Sequence, residues 1–290
     1  MKLSPILLLV LLIACSTDRE ERQFITLVYN LNKKTDSVEF QKWKYENVDG
    51  KKSKNYDCQD SLKIDNWTWA HCFYQDDTYQ VFGECRGEFG GSVIFINKDR
   101  PKKVNYLTCT CPSMIEKRED GFYITETLAH GSGHGRIIKI KDPKELITVD
   151  IDSLSTSWKE ERFKGMDGFE VYKKLAWQGQ TLVDTIDHVF SLFFQYKNRD
   201  YLIFSSFNST LLGEVKKGEI NVLDTLANTF TWGYTDIPNE IIDGIYHNQY
   251  EATYGTGEMH KYSRGDIYVK QDTIVLGYFY KEWPRKEGEF

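Results

Sequence analysis

Histidine is the residue type whose placement offers the most chemistry in this sequence. His130 and His134 lie four positions apart and enclose the short segment Gly131-Ser132-Gly133. An imidazole titrates near neutral pH, so such a pair can act as an acid and a base or can hold a metal ion. The alternative is a glycine-rich turn whose two histidines are solvated, and the sequence leaves both open.

Paired carboxylates are the other chemistry to consider, because they carry out glycoside hydrolysis. Glu84, Glu88, Asp120 and Glu126 are available, but nothing in their spacing singles out two of them. The sequence contains no phosphate-binding loop, no dinucleotide fingerprint and no calcium loop. It therefore predicts no cofactor and names no catalytic residue.

The cysteines give a third set of candidates. Five follow Cys15, an odd number, so they cannot all pair within the chain. We expect one or two disulfides and a buried free thiol. A zinc site is the alternative, built from two thiols at alternate strand positions and a nearby His-Cys pair. The residues concerned are Cys58, Cys72, Cys85, Cys109 and Cys111, with His71 beside Cys72.

The elements that must position these residues are short β-rich runs joined by polar turns. Aromatic residues are abundant, at 14% of the chain, which favours strands. Five hairpins of similar shape are predicted at 92–104, 136–149, 169–183, 210–223 and 266–279. Further hairpins are predicted before them at 71–84, 115–127, 189–204 and 246–262, and residues 24–65 offer one more unit.

Two hairpins in series form a four-stranded antiparallel unit of about 40 residues, which is the length of a propeller blade. Five or six such units predict an all-β fold, a β-propeller in which radial stacking buries both faces of each sheet. The strands at 24–29 and 273–280 are expected to complete one shared blade, and no helix of convincing length is expected. A β-sandwich or barrel is the alternative.

A propeller would bring distant residues together at one mouth of its central channel. The links between second and third strands, at 83–91, 129–135, 205–209 and 263–265, fall on the same face as the starts of the innermost strands. This geometry selects the candidate ligand-binding residues. They are Trp69, His71, Arg86, Glu88, His130, His134, His188, Asn208, His247 and Arg264.

The N-terminal residues resemble a targeting signal. Lys2 precedes an apolar run at 6–14 that is too short to span a bilayer, so residues 1–14 are predicted to be a signal peptide. The run ends in Leu12-Ile13-Ala14-Cys15, which resembles a bacterial lipobox. The resemblance implies cleavage before Cys15 and acylation of that cysteine. Residues 15–23 would then be a lipidated tether, 24–284 one propeller-like domain and 285–290 a tail.

The predicted function follows from these features. The net charge of −6 disfavours nucleic acid, because phosphates would repel this surface. The body of the chain resembles uncharacterised β-propeller-like lipoproteins of the bacterial outer membrane. The resemblance implies a protein anchored in the outer membrane, on its periplasmic or cell-surface side. We expect a binding or scaffold module for a glycan, a peptide or an envelope partner. A carbohydrate hydrolase or lyase with its site at the central channel is the alternative, so enzymatic activity is left open.

Overall fold

A computed structural model gives the fold of this protein, and it describes nine stretches of the chain. They are residues 24–51, 61–63, 69–87, 90–129, 133–155, 179–206, 209–231, 239–256 and 259–284. The predicted signal peptide, the lipobox with Cys15 and the C-terminal tail lie outside the described residues. In the described part, no helix is both long and apolar enough to cross a membrane.

The described chain is built from nineteen strands and one α-helix, α1 (Lys34–Asn47). In chain order the strands are β1 (Ile25–Asn30), β2 (Leu62–Lys63), β3 (Trp69–Gln75), β4 (Tyr79–Cys85), β5 (Gly91–Asn97), β6 (Lys103–Cys109), β7 (Pro112–Arg118), β8 (Gly121–Leu128), β9 (His134–Ile140), β10 (Ile147–Asp150), β11 (Gln180–Ile186), β12 (Val189–Tyr196), β13 (Arg199–Ser206), β14 (Ser209–Lys216), β15 (Glu219–Ala227), β16 (Glu240–Ile242), β17 (Ile245–Thr256), β18 (Met259–Lys270) and β19 (Thr273–Pro284). Two short 3-10 helices, Pro143–Glu145 and Ile151–Ser155, flank β10.

These strands form four sheets, none of which closes on itself. Sheet 1 has the order β10-β6-β5-β4-β3-β2, and sheet 2 has the order β11-β9-β8-β7. Sheet 3 has the order β12-β13-β14-β15, and sheet 4 has the order β1-β19-β18-β17-β16. All neighbouring strands are antiparallel except β1 and β19, which are parallel. The fold is therefore all-β, and its sheets follow the order of the chain almost without crossovers.

Turn chemistry explains the tight hairpins. Lys197 and Asn198 join β12 to β13 with φ values of 48° and 59°, and Lys217 and Gly218 join β14 to β15 with 55° and 86°. Two consecutive positive φ values define the turn whose twist matches that of paired strands. Asparagine and glycine tolerate this conformation best, so both hairpins are set locally.

The four sheets pack face to face in sequence order. One apolar cluster fills the space between sheets 1 and 2, and includes Phe95 and Phe122. A second lies between sheets 2 and 3 around Phe193, and a third lies between sheets 3 and 4 around Phe194. Because β12 alternates its side chains, Phe193 and Phe194 serve opposite faces of sheet 3. Sheets 2 and 3 thus bury both faces.

The two outer faces of this stack are covered by other elements. Phe40 of α1 packs against Tyr268 and Val275 on the outer face of sheet 4. On the outer face of sheet 1, Val149 of β10 and Leu154 join the apolar side chains of β4, β5 and β6. The helix α1 and the 3-10 helix Ile151–Ser155, through Leu154, therefore complete the core at its two ends.

Most of the predicted hairpins are confirmed. The structure pairs β3 with β4, β7 with β8, β12 with β13 and β17 with β18, as the sequence predicts. The hairpins β5–β6, β14–β15 and β18–β19 are also present, and β1 joins β19 in one sheet. The all-β class is confirmed, although the described residues form four sheets where five or six units were predicted.

Three sequence predictions about elements are wrong. The segment 34–47 is a helix and not part of a blade. The predicted hairpin at 136–149 does not form, because β9 pairs within sheet 2 while β10 crosses to β6 of sheet 1. Residues 263–265 are no link between strands, since β18 runs through them without a break. Most of the predicted hairpin at 169–183 lies outside the described residues.

Candidate functional site

One edge of the stack, which we call the linker edge, collects the connections that could hold a ligand. It comprises the ends of β4, β8 and β13, the starts of β5, β9 and β14, and the inter-sheet links at 110–111 and 187–188. Two hydrogen bonds join sheets 2 and 3 there. The Phe190 amide donates to Thr127 Oγ1 at 2.9 Å, and the Asp187 amide donates to the Gly133 carbonyl at 3.1 Å.

His134 and His188 are brought to the linker edge between sheets 2 and 3. His134 Nε2 lies 3.0 Å from Asp184 Oδ1. The His188 ring lies against Phe204, with 5.0 Å between ring centroids, and its Nδ1 is 3.1 Å from the Ile186 carbonyl oxygen. Each imidazole thus has one nitrogen oriented by an oxygen, which fixes the direction of the other.

Arg86 is held at the same edge by a buried carboxylate. Its Nε and Nη2 donate to Glu84 Oε2 at 3.1 and 2.9 Å, and Ser92 Oγ donates to Glu84 Oε1 at 2.7 Å. Glu84 is almost fully buried, whereas the Arg86 side chain is about a third exposed. The Glu84 carboxylate therefore fixes the position of the Arg86 guanidinium, and part of the guanidinium remains accessible to solvent.

A second buried glutamate lies between sheets 1 and 2. Arg136 Nε donates to Glu126 Oε1 at 2.6 Å, and the Thr110 amide donates to Glu126 Oε2 at 2.9 Å. Glu126 follows Phe122 and Ile124 at alternate positions of β8 and so faces sheet 1. Glu84 follows Phe82 on β4 and faces away from sheet 2. The two carboxylates therefore lie on opposite faces of sheet 1 and do not form one acid–base pair.

The structure confirms the predicted disulfide bonding and the predicted buried free thiol. Cys85 and Cys111 are disulfide-bonded across the junction of sheets 1 and 2, and Cys72 is disulfide-bonded as well. Cys109 is free and buried. Burial raises the pKa of the Cys109 thiol well above its usual value, and the nearby Glu126 carboxylate adds to the effect. The thiol therefore stays protonated, which opposes nucleophilic reactivity.

The zinc alternative is wrong for these residues. A disulfide removes the thiolate that a zinc ligand must supply, and Cys72 and Cys111 are both disulfide-bonded. Across the described residues, no group of three or more His, Cys, Asp or Glu side chains is arranged to hold a metal ion.

A polar junction that sequence reasoning missed joins sheets 2, 3 and 4 near the linker edge. The Asn239 amide N–H donates to the Ser113 carbonyl of β7 at 2.8 Å. Its side-chain Nδ2 donates to the Ser191 carbonyl of β12 at 2.7 Å, and its Oδ1 accepts from Asn248 Nδ2 of β17 at 2.5 Å. Asn239 is almost fully buried, so its backbone and side chain together fix the relative positions of three sheets.

A hydroxyl network continues this junction into sheet 3. Ser205 Oγ lies 2.8 Å from Thr231 Oγ1, and Ser191 Oγ donates to the Thr231 carbonyl at 2.8 Å. Thr210 Oγ1 donates to the Thr229 carbonyl at 2.7 Å. All of these side chains are buried. The only sequence signal for them is a run of serines and threonines near the strand ends, which is also typical of turns.

His247 does not join the other histidines. The prediction placed it at the start of an innermost strand, but β16 precedes β17 in sheet 4, so β17 runs the opposite way. His247 is the third residue of β17 and lies on the outer face of sheet 4. Its Nε2 is 2.9 Å from Asp266 Oδ1, and its ring stacks on Tyr268 with centroids 4.4 Å apart.

Arg264 does not lie in a link between strands, where the sequence placed it. It lies within β18, where its guanidinium carbon is 5.2 Å from the centre of the Phe279 ring. His71 lies on β3 and is exposed, with no described contact to another candidate histidine. Trp69 begins β3, but its side chain lies outside the description. Glu88, His130 and Asn208 also lie outside the described residues, as does Cys15.

Comparison with known proteins adds no assignment. No family model, no curated protein and no solved structure matches this chain.

Proposed function

We propose that this chain is a lipid-anchored protein of the bacterial outer membrane whose folded part is a binding or scaffold module. The lipobox-like Leu12–Cys15 sequence and the short apolar run before it support the anchor. Several acyl chains on one cysteine hold a protein stably on a membrane, whereas a single chain does so marginally.

The linker edge is the observation that carries the binding role. His134 and Arg86 each have their position fixed by a carboxylate, and His188 is fixed by a carbonyl and a ring. Side chains that are already oriented lose little freedom on binding, which favours affinity. The ligand class that suits imidazoles and guanidinium groups beside loops is a glycan, a peptide or an envelope partner.

The enzyme alternative finds less support in this geometry. Hydrolysis of a glycosidic bond by two carboxylates needs one carboxylate on each side of the bond that is cleaved. Glu84 and Glu126 are the buried glutamates nearest the linker edge, yet they face opposite sides of sheet 1. We therefore favour binding over hydrolysis.

We also propose that the four sheets are successive blades of an open, propeller-like arc. Each sheet packs on the next, and the first strands β3, β7 and β12 are in contact in turn. The alternative, a flat sandwich, keeps its layers about 10 Å apart throughout. Spin labels at Thr148→Cys and Thr26→Cys, on the outermost strands of sheets 1 and 4, test this. Three layer spacings put these two positions about 30 Å apart in a flat stack, whereas the arc predicts a clearly longer separation.

Acyl labelling tests the anchor. Cells that express the full chain are fed an alkyne analogue of palmitate, and the protein is recovered from membranes. We expect label on the wild type and a mature N-terminus at Cys15. The Cys15→Ala variant should carry no label and keep its signal peptide. Label retained by the variant, or cleavage at another residue, would contradict the proposal.

A glycan array tests the binding role. We expect the mature chain to bind at least one neutral or acidic oligosaccharide. The double variant His134→Ala, His188→Ala should lose about tenfold or more in affinity, since two oriented partners are removed. A control pair at the opposite edge, Lys98→Ala and Lys141→Ala, should bind as the wild type does. If the histidine variant melts far below the wild type, those residues are structural and the proposed site is wrong.

A further inference from the structure

The chain enters the fold at the edge opposite the linker edge. This tip edge is formed by the hairpin turns of sheets 1 to 3 at 75–79, 97–103, 117–121, 197–200 and 216–219, and by the turn at 139–145 that leads from β9 to β10. Phe24 is buried there, with its ring centroid 5.4 Å from that of Tyr196 and 4.8 Å from that of Tyr201. The Ile25 amide also donates to the Asp272 carbonyl at 2.8 Å. Whatever precedes residue 24 therefore starts from the tip edge.

The turns of the tip edge hold more basic than acidic residues, but ion pairs neutralise several of the basic ones: Arg118 pairs with Glu116, Lys103 with Asp150 and Arg199 with Glu214. The six turns hold thirteen Lys and Arg residues against nine Asp and Glu, while the whole chain carries a net charge of −6. The two turns of sheet 4 at this edge, 243–244 and 270–273, contain one lysine and two aspartates. With these three partners counted, the acidic residues of sheets 1 to 3 at this edge number twelve, so the positive character of the edge depends on its exposed lysines that form no ion pair among the described residues.

Three lysines of this edge lie in sheet 3, the sheet on which Phe24 packs. Lys197, Lys216 and Lys217 are exposed, and within the described part of the chain they take part in no ion pair. Ile25, the residue after Phe24, is an exposed apolar side chain with 58% of its surface accessible. Basic side chains beside an exposed apolar one are typical of surfaces that contact the headgroup region of a membrane.

We propose that the tip edge is a membrane-contact surface that binds anionic phospholipid headgroups. The proposal rests on the lipid anchor proposed above. Eight residues lie between Cys15 and Phe24, so the acylated cysteine lies within about 30 Å of this edge. An anchored molecule would hold its lysines against the leaflet and turn the linker edge away from it. The candidate binding residues would then face the compartment in which a partner is met.

Vesicle binding without the anchor tests this surface. The mature chain with Cys15→Ser is mixed with vesicles of phosphatidylcholine alone, or of phosphatidylcholine and phosphatidylglycerol in equal parts. We expect sedimentation only with the anionic vesicles, and release in about 0.5 M NaCl, where screening shortens the range of the attraction. Each lysine near the surface contributes about fivefold to partitioning, so reversing three should reduce it by at least about 100-fold.

The reversal is Lys197→Asp, Lys216→Glu and Lys217→Asp, because aspartate tolerates the positive φ of Lys197 and Lys217. The matched control, Lys33→Glu, Lys34→Glu and Lys42→Glu, changes net charge equally at and near α1, on the outer face of sheet 4. Equal loss of binding in both variants would overturn the proposal, as would binding to neutral vesicles. Tighter binding to a soluble sulfated glycan than to the vesicles would also overturn it and indicate a polyanion site. Because no acyl chain is present, failure here leaves the labelling test of the anchor unaffected.

Discussion

At the scale of single residues, Arg118 is the buried charge that contributes most to holding sheet 2 against sheet 3. Its Nε donates to Glu116 Oε2 at 2.8 Å and its Nη1 donates to Asp200 Oδ1 at 2.6 Å, so it joins sheet 2 to sheet 3. Its guanidinium carbon lies 4.1 Å from the centre of the Tyr123 ring. Only 9% of the side chain is exposed. A charge buried to this degree needs both carboxylates to compensate its desolvation.

Removing the charge of Arg118 should destabilise the folded state. We expect Arg118→Met to lower the free energy of unfolding by about 3–5 kcal/mol, because Glu116 and Asp200 would keep their charges without a cation. Urea denaturation measures the loss. Arg100→Met, at an exposed turn, should stay within about 0.5 kcal/mol of the wild type. A loss below about 1 kcal/mol at Arg118 would show that solvent reaches these carboxylates.

His247 makes stability depend on pH. Burial disfavours its charged form, but the hydrogen bond to Asp266 and the nearby Glu240 carboxylate outweigh this and raise the pKa of His247 above its ordinary value. Asp266 on β18 and Glu240 on β16 face the ring, Tyr268 stacks on it, and Asp49 lies just beyond the end of α1.

The sign of this dependence follows from linkage. A group whose pKa is raised on folding adds stability below its unfolded pKa, about 6.5, and this contribution is lost as the pH rises through the folded pKa. We expect the stability difference between wild type and His247→Gln to be largest near pH 6 and to shrink toward pH 9. Thermal melts across this range, with Gln249→Ala as an exposed control, measure it. A difference that grows with pH would contradict the assignment.

At the scale of elements, the docking of α1 depends on a glycine. A Cβ placed on Gly277 of β19 would lie 2.5 Å from the Phe40 ring of the helix, too close for any real contact. Phe40 is the most deeply buried side chain of α1. The missing side chain of Gly277 thus provides the space that the ring occupies.

Gly277→Ala should therefore cost about 1–3 kcal/mol, the usual price of overpacking. Phe40→Ala should cost about 3–5 kcal/mol because a buried ring is lost. Their combination should cost less than the sum, since the new methyl group would occupy part of the cavity. Urea denaturation of the four proteins gives the coupling energy. Strict additivity would mean that the two residues do not touch in solution.

Helix α1 illustrates which parts of the fold could not be predicted from the sequence. Hairpins such as β12–β13 were predictable because alternation and turn residues act locally. The α1 segment is polar nearly all round, so it has no apolar stripe, and only docking against sheet 4 stabilises it. Strand β10 was misassigned because its choice between β9 and β6 is a long-range one.

The candidate site was predictable to a similar extent. The linker edge was inferred from the order of hairpins, and the hydrogen bond from the Asp187 amide to the Gly133 carbonyl brings the links beside His134 and His188 together there. His247 was misplaced because one short strand, β16, reverses the direction of the strand after it. Glu84 and Glu126 were noted as carboxylates, but their burial and their arginine partners depend on contacts between distant residues.

At the scale of the whole molecule, the sheets must be held to one another as well as within themselves. Apolar packing between sheets is non-directional and would tolerate sliding. Directional contacts are needed to fix one arrangement, and the stack has them near both edges. Arg118 supplies them toward the tip edge, and Asn239 supplies them near the linker edge, where it bonds to Ser113, Ser191 and Asn248.

Asn239 should therefore control how cooperatively the sheets unfold. We expect Asn239→Ala to cost about 2–4 kcal/mol, because it leaves the Ser191 carbonyl and the Asn248 amide buried with one partner fewer. Hydrogen exchange should also rise first in sheet 4, which would open before sheets 1 to 3. Asn221→Ala, on the exposed strand β15, is the matched control and should change neither quantity. Uniform loss of protection across all four sheets would instead show that apolar packing alone makes the stack one unit.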